Sequence, residues 1–186
     1  AKPLITRDID AEFTSVVMVN SKIQAKQLDD LKGRSFSFGS KLSTSGHLMP
    51  RYFFEQKKII AESYFGKVIY SGAHDMTALM VSRGEVDAGV VNASIAQTMF
   101  EDGRLQRSKV KIIWNSPQYQ DYVWAVQPDM DERVRYKIRD AFLALNSETE
   151  TGRQVLSNLE ANYFIPVSSS DYEMLENILD NLAVSD

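Results

Sequence analysis

The chain has 186 residues, of which 44 % are hydrophobic and 25 % are charged, with a formal net charge of −4. That composition supports a packed core and excludes wholesale disorder. The negative charge argues against a nucleic-acid-binding protein, which normally presents a basic face. Because there is no cysteine and there are only two histidines, disulfides, thiolate metal sites, cysteine nucleophiles and a His-rich metal site are excluded.

No apolar run has the length of a membrane span, and no signal peptide opens the chain. We therefore expect either a cytoplasmic protein or the mature or trimmed form of an exported one. The lack of cysteine does not decide between these compartments, because a periplasmic protein need not carry disulfides. The length suffices for one large domain or two small lobes.

Strands and helices are predicted to alternate over the first two thirds of the chain. The strands are short segments rich in β-branched or aromatic residues, at 13–19, 35–38, 68–70, 86–91, 110–114 and 122–126. The helices between them are predicted over 26–32, over 45–57 with a bend at Pro50, from Met76 to a stop at Gly84, and from a cap at Asn92 or Ser94 to near Gly103.

Beyond residue 126 the pattern is helical only. One helix is predicted from Asp131 to Leu145, and the capping boxes Ser147–Glu150 and Ser170–Glu173 predict two further helix starts. The last of these helices carries its apolar residues at Leu175, Ile178 and Leu182. We therefore predict an α/β lobe with a mixed sheet flanked by helices, followed by a C-terminal helical segment.

The run Ser43-Thr44-Ser45-Gly46 lies between the strand at 35–38 and the next helix. A helix that starts there offers free backbone N–H groups, side-chain hydroxyls and the positive end of its dipole. Those groups suit a tetrahedral oxyanion. Serine and threonine are also preferred N-caps, so the run predicts a plain cap, an anion site, or both.

His74, Asn92 and Asp121 also lie next to strand-like segments. Because ligands bind at the carboxyl ends of strands in open α/β sheets, we expect these residues and the hydroxyl run to converge on one cleft. His74 is either a donor to a bound anion or a surface partner of Asp75. Asp121 is either an acceptor for a cationic or proton-bearing part of a ligand or an ordinary turn residue.

A hydrolytic triad that combines Ser43 or Ser45 with His74 and a carboxylate is disfavoured. The sequence has no G-x-S-x-G elbow. Asp75 directly follows His74, which is poor geometry for orienting the imidazole ring. We therefore expect a binding protein and not an enzyme.

Five stretches in a fixed order carry a resemblance to a known family. They are Asp29–Gly39, Ser43–Gly46 with Pro50–Phe53, Ser71–Asp75, Gly84–Asn92 and Ile113–Pro117. Together they resemble the periplasmic phosphonate-binding proteins, the solute receptors of phosphate, phosphite and phosphonate ABC importers.

The resemblance implies a type II periplasmic-binding fold, in which two α/β lobes joined by crossing strands hold a ligand in the cleft. It also implies that the Ser43–Ser45 helix start holds the oxyanion oxygens, with His74 beside it. Asp121 then contacts an amine or a protonated oxygen. The expected ligand-binding residues are Ser43, Thr44, Ser45, Gly46, His74, Asn92 and Asp121, with no catalytic residue, metal or cofactor.

Two departures from the family pattern bear on the ligand and on the architecture. Ser94 stands where members selective for aminoalkyl phosphonates carry an acid, which leaves phosphate, phosphite and methylphosphonate as candidate ligands. Most of the first lobe is expected to be absent: residues 1–12 approach the crossing strand, 13–126 form the second lobe, and 127–186 return to the first. Apolar faces that the missing lobe should cover predict self-association.

The expected function is that of a periplasmic or other extracytoplasmic solute-binding protein, or a piece of one, which binds phosphonate, phosphite or phosphate for ABC import. Its partners would be the oxyanion and the transporter permease, with no nucleic acid. The alternative is a ligand-sensing domain of a signalling receptor with the same fold.

Overall fold

The computed structural model describes residues 1–183, and it confirms the α/β class. The strands are β1 (Lys2–Arg7), β2 (Ser15–Asn20), β3 (Ser35–Phe38), β4 (Lys67–Tyr70), β5 (Ala88–Asn92), β6 (Val110–Asn115), β7 (Trp124–Val126) and β8 (Phe164–Pro166). The α-helices are α1 (Asp8–Ala11), α2 (Met49–Gln56), α3 (Ala61–Tyr64), α4 (His74–Arg83), α5 (Ala93–Glu101), α6 (Glu132–Leu143), α7 (Glu150–Asn158) and α8 (Glu173–Ala183). Short 3₁₀ segments span Leu28–Leu31 and Ser169–Tyr172, and a π-helical turn spans Thr44–Leu48.

The chain divides into two compact units. Unit 1 contains Ala1–Phe13 and Gln118–Asn177, and unit 2 contains Thr14–Pro117 with the chain from Ile178 onward. The segment Gln118–Val126, which the sequence assigned to the lobe of residues 13–126, groups with unit 1. Residues 184–186 of the predicted C-terminal segment lie outside the described residues.

Unit 2 contains a five-stranded mixed sheet in the order β4-β3-β5-β2-β6. Strand β3 runs parallel to β4 and β5, whereas β2 runs antiparallel to β5 and β6. The predicted mixed sheet is therefore confirmed. Strand β2 is buried along its whole length, which explains its unbroken run of apolar residues.

Apolar cores cover both faces of this sheet. Alternate residues of β2 point to opposite faces, so Val17 and Val19 enter one core while Val16 and Met18 enter the other. The first core contains Phe54 of α2, and the second contains Val81 of α4, Met99 of α5 and their neighbours. The sheet is thus flanked by helices on both sides, which fixes the positions of the loops at its edge.

The parallel strands bring the predicted site loops to one edge of the sheet. Strand β3 ends at Phe38 just before the hydroxyl run, β4 ends at Tyr70 just before His74, and β5 ends at Asn92. Because β4 and β5 both run parallel to β3, their carboxyl ends lie at the same edge.

Unit 1 contains a three-stranded antiparallel sheet in the order β7-β1-β8. Its core is formed by Leu4, Ile5, Leu156 and Phe164, with Trp124 and Phe142 packed against them. The expectation that only helices follow residue 126 is wrong, because β8 pairs with Ile5–Arg7 of β1. A three-residue strand has too little periodicity to stand out in a sequence, and this one depends on pairing with a strand far away in the chain.

The helix predicted over 26–32 is wrong in type. The chain forms only a 3₁₀ turn at Leu28–Leu31, which begins with a capping box between Gln27 and Asp30. The helix predicted over 45–57 is instead a π-helical turn followed by α2. Pro50 sits in the first turn of α2, a position where proline is well tolerated, and the bend expected there stays a prediction.

Two predicted helix starts are displaced by two residues. The cap of α7 is Thr149 and not Ser147, and its hydroxyl accepts from the Gly152 N–H. The last capping box pairs Ser168 with Asp171 and opens the 3₁₀ turn before α8. The side chain of Leu182, predicted to lie on the apolar face of this helix, lies outside the described side chains. No helix within residues 1–183 has the length and hydropathy required of a membrane span.

Candidate functional site

The hydroxyl run forms an N-capped helix start. The Ser43 hydroxyl oxygen accepts a hydrogen bond from the Gly46 N–H at 3.0 Å, which confirms the predicted cap. The N–H groups of His47 and Leu48 both donate to the Ser43 carbonyl at 3.0 Å, which widens the first turn into a π turn. The N–H groups of Thr44 and Ser45 come first in this turn, where the helix itself supplies no acceptor.

Gly46 is required by close approach. A Cβ atom at this position would lie 2.9 Å from Ser43 Oγ, 3.0 Å from His74 Cε1 and 3.3 Å from Gly39 Cα. The Gly46 carbonyl also accepts from the Gly39 N–H at 2.8 Å. The absence of a side chain therefore lets the helix start lie directly against His74 and the end of β3.

Ser45 is buried, with 4 % of its surface exposed. Its carbonyl accepts from the hydroxyl of Ser15 at 2.7 Å, and its own Oγ lies 3.3 Å from Nε2 of His74. Ser15 of β2 thus binds the backbone of Ser45, and His74 of α4 contacts its side chain.

His74 is neutral in this arrangement. Its Nδ1 accepts the backbone N–H of Asn92 at 3.2 Å. Because a backbone N–H only donates, Nδ1 carries no proton, and the ring proton of the neutral imidazole lies on Nε2. That N–H faces Ser45 Oγ. Burial lowers the pKa of His74 and outweighs the opposing effect of Asp75.

The tautomer of His74 determines what Ser45 can do. Since His74 Nε2–H donates to the Ser45 oxygen, the hydroxyl hydrogen of Ser45 is directed to another acceptor. An anion at the helix start is the acceptor that such a hydrogen suits. The arrangement is able to present backbone and hydroxyl donors without a formal positive charge.

Asn92 is a buried N-cap that anchors His74. Its side-chain oxygen accepts from the Ile95 N–H at 2.9 Å, which confirms the predicted cap of α5. Its backbone N–H holds His74, as described above. Ser94, the alternative cap, is exposed in the first turn of α5.

Asp121 lies in unit 1 and not with the other predicted site residues. Its backbone N–H donates to the carbonyl of Asp10 at 3.1 Å. Asp10 itself is fully buried and forms an ion pair with Arg7 at 2.6 Å. The structure brings together Ser43–Gly46, His74 and Asn92, while contact of Asp121 with a ligand stays a prediction.

Sequence reasoning missed two serines that support the site. Ser15 is fully buried, and its backbone N–H donates to Ser116 Oγ at 2.9 Å while its hydroxyl holds Ser45. The available signal was a serine that opens a run of buried β-branched residues, because a buried hydroxyl needs a partner. His47, also missed, is buried behind the helix start and is described below.

Two cationic side chains close in sequence to the helix start contact other groups. Arg51 pairs with Glu62, and Lys41 Nζ lies 5.6 Å from the centroid of the Tyr70 ring. Within the described part of the chain, no three His, Asp or Glu side chains are grouped so as to hold a metal ion. The donors at the helix start are therefore neutral dipoles, which favour an anion through direction and number of hydrogen bonds.

Comparison with known proteins identifies relatives over nearly the whole chain. A family model for the periplasmic substrate-binding protein of phosphonate ABC transporters matches residues 1–172. The probable ABC transporter phosphite binding protein PhnD1 of Prochlorococcus marinus (strain MIT 9301) is 33 % identical over 183 residues, which cover 92 % of this chain and 62 % of that protein. The phosphonates-binding periplasmic protein of Escherichia coli (strain K12) is 29 % identical over 145 residues, which cover 75 % of this chain and 42 % of that protein.

One solved structure resembles this chain in both fold and sequence. The structure of PhnD1 from Prochlorococcus marinus in complex with methylphosphonate is 31 % identical, with a TM-score of 0.82, over 98 % of this chain and 71 % of that chain. The present chain spans less than two thirds of the length of the two curated relatives. The family match over residues 1–172 and the shared fold together show that the chain belongs to the periplasmic substrate-binding proteins of phosphonate ABC transporters.

Proposed function

We propose that this chain binds a phosphonate, phosphite or phosphate oxyanion at the Ser43–Ser45 helix start, as part of an extracytoplasmic solute-binding protein for ABC import. The observation that carries the proposal is the pair of helix-start N–H groups, of Thr44 and Ser45, held beside the neutral His74. The relatives reported above are transport proteins, which favours import over a signalling receptor.

The binding mode follows from the donors. Thr44 and Ser45 contribute backbone N–H groups, and Ser43, Thr44 and Ser45 contribute hydroxyl hydrogens. Ser43 and Ser45 already use their oxygens as acceptors, from Gly46 and His74 respectively, so their hydrogens are the groups directed outward. Each hydrogen bond to a charged acceptor contributes about 1.5–3 kcal/mol.

Two positions, Asp121 and Ser94, bear on which oxyanion is preferred. Asp121 stays a predicted acceptor for a protonated oxygen or an amine of the ligand. The exposed Ser94 supplies no carboxylate to an ammonium group. The site therefore favours small oxyanions such as phosphite, phosphate and methylphosphonate over aminoalkyl phosphonates.

The partner and compartment follow from the same role. A transport receptor delivers its ligand to a membrane permease, so a permease is the proposed protein partner and the periplasm or another extracytoplasmic space the proposed location. The chain is also expected to self-associate. Exposed apolar side chains of unit 1, such as Tyr122, Val134 and Tyr163, support this expectation.

Titration calorimetry on the chain with phosphate, phosphite and methylphosphonate, and with chloride as the non-tetrahedral control, tests the proposal. We expect saturable binding of the tetrahedral phosphorus oxyanions and none of chloride. A folded sample that binds none of the three at millimolar concentration would overturn it. Thr44→Ala serves as the matched variant, since it removes a hydroxyl donor without removing a cap.

A further inference from the structure

His47 is a buried titratable side chain that the proposed function does not use. It lies in the π turn directly behind Ser43–Ser45, with 5 % of its surface exposed. Its ring packs edge-on against the rings of Phe38, with centroids 4.9 Å apart, and Tyr70, with centroids 5.0 Å apart. An imidazole in such surroundings needs partners for both nitrogens.

Both nitrogens have partners on different elements. Nδ1 lies 2.7 Å from the carbonyl oxygen of Lys41, and Nε2 lies 3.2 Å from the hydroxyl of Tyr70. A carbonyl only accepts, so Nδ1 carries the proton and Nε2 accepts from the Tyr70 hydroxyl. One neutral imidazole therefore links the loop before the helix start, the helix start itself and the end of β4.

The tip of the loop that His47 contacts is exposed to solvent. Lys41 and Leu42 are exposed, Leu42 at 83 %, so burial contributes little to the order of this loop. Backbone hydrogen bonds fix its two ends, from Gly39 N–H to the Gly46 carbonyl and from Ser43 N–H to the Ser40 carbonyl. Within the turn that Ser40 and Ser43 close, His47 adds a hydrogen bond to the Lys41 carbonyl, and the Lys41 ammonium lies near the Tyr70 ring.

Burial and two cationic neighbours oppose the protonation of His47, whereas Glu62 favours it. Lys41 from the loop and Arg51 from α2 face it with positive charge, while Glu62 of α3 is the acidic group, and Tyr70 of β4 is the remaining titratable neighbour. Burial is the largest effect and lowers the pKa of His47, while the hydrogen bond to Lys41 acts in the opposite direction. The ring is therefore neutral at neutral pH, as its Tyr70 contact requires.

We propose that His47 is a positioning residue, which fixes the loop of residues 39–43 through Lys41 and thereby aims the Thr44 and Ser45 N–H groups at the oxyanion. The proposal rests on the proposed function for its effect on affinity. The conformation of Ser43, with φ −75° and ψ 123°, sets the direction of the two N–H groups that follow it. A loop that moves at Lys41 changes that conformation.

A role in packing alone makes a different prediction from a positioning role. If His47 only fills space, phenylalanine, which keeps the ring and its aromatic contacts, should leave oxyanion affinity unchanged. If His47 positions the loop, asparagine should preserve affinity, because its side-chain N–H occupies the place of Nδ1. Glutamine, which reaches toward the Nε2 position instead, should not preserve it.

The first experiment is calorimetric titration of inorganic phosphate into the wild type and the three variants at pH 7.5, with thermal unfolding of each. We expect His47→Phe and His47→Gln to weaken binding by about tenfold, and His47→Asn by less than about threefold, since one hydrogen bond to the loop is lost or kept. Tyr70→Phe, which removes the hydroxyl that contacts Nε2 of His47, is the control for that hydrogen bond. Equal affinities for the wild type and His47→Phe, with phosphate bound by both, would overturn the proposal while leaving the proposed function intact.

Hydrogen exchange supplies a readout that does not depend on binding. The amide of Ser43, which donates to the Ser40 carbonyl, should exchange faster in His47→Phe and His47→Gln than in the wild type and His47→Asn, with the β2 and β3 amides unchanged. If the wild type binds no oxyanion, the proposed function fails, and this comparison still decides whether His47 orders the loop. Unchanged exchange in His47→Phe would contradict that role.

Discussion

Nε2 of His74 lies 3.3 Å from Oγ of Ser45, and the other ring nitrogen accepts the backbone N–H of Asn92. The sheet edge thus fixes both the orientation and the tautomer of the imidazole. His74 consequently contacts the helix start through Ser45, and under the proposed function it leaves the Ser45 hydroxyl hydrogen available to an anion. We therefore expect substitutions at Ser43, Thr44 and His74 to differ in their effects on affinity, stability and pH dependence.

Thr44→Ala should weaken oxyanion binding without unfolding the protein. It removes one hydroxyl donor to a charged acceptor, which costs about 1.5–3 kcal/mol of binding free energy. Calorimetry measures the affinity and thermal unfolding measures the stability. An unchanged affinity would exclude the Thr44 hydroxyl from the site.

Ser43→Ala should lower both affinity and stability. The Ser43 hydroxyl caps the π turn through Gly46, and loss of such a cap costs about 0.5–2 kcal/mol of folding free energy. The same two measurements separate this variant from Thr44→Ala. A stability equal to that of the wild type would contradict the capping role.

His74→Ala should weaken binding equally at pH 6 and pH 8, because the neutral ring, not an imidazolium, supports Ser45. Calorimetry with methylphosphonate at both pH values gives the two ratios of wild-type to variant affinity. A loss that is much larger at pH 6 would show that a charged His74 binds the anion. His74→Asn is the companion variant that keeps a polar group at this position.

The free energy of unfolding should fall as the pH falls below about 6.5, the ordinary value for histidine. The pKa values of His47 and His74 are lowered in the folded state, chiefly by burial, so the unfolded chain takes up protons first. The stability lost between pH 7 and pH 5 should be smaller in His47→Phe. Urea denaturation at each pH measures the free energy of unfolding. A free energy of unfolding that rises as the pH falls from 7 to 5 would contradict the burial of both rings.

Gly46→Ala should lower affinity as well as stability, because the new methyl group would press on Ser43, His74 and the Gly39 backbone. Gly103→Ala is the matched control. Gly103 has φ +80° and nothing within 4 Å of an added Cβ, so this variant pays about 1 kcal/mol of backbone strain away from the site. Equal affinities of the two variants would mean that the close approach at Gly46 does not shape the site.

Much of the fold was predictable because its signals are local. The strand Ser35–Phe38, the glycine stop at Gly84, which adopts φ 76°, and the cap at Asn92 all follow from a few neighbouring residues. Strand β8 was not predictable, because three residues form a strand only by pairing with β1 about 160 residues away.

The candidate site was predictable in outline but not in its hydrogen bonds. The hydroxyl run and the polar residues after β4 and β5 indicated where the parallel strands would bring them together. The buried supports, Ser15 and His47, carry no local signal of their partners, since Ser15 meets Ser45 and Ser116 only in the folded sheet. Asp121 was expected in the same lobe as the hydroxyl run, but it belongs to unit 1. The alternation of strands and helices does not show to which unit a loop residue belongs.

The most direct test of the central claim is an NMR titration of the ¹⁵N-labelled chain with inorganic phosphate, which follows the backbone amides one by one. If the helix start binds the oxyanion, the amide protons of Thr44 and Ser45 should show the largest saturable downfield shifts, with smaller shifts at Asn92. Saturable shifts centred elsewhere in the chain, with Thr44 and Ser45 unmoved, would contradict the account.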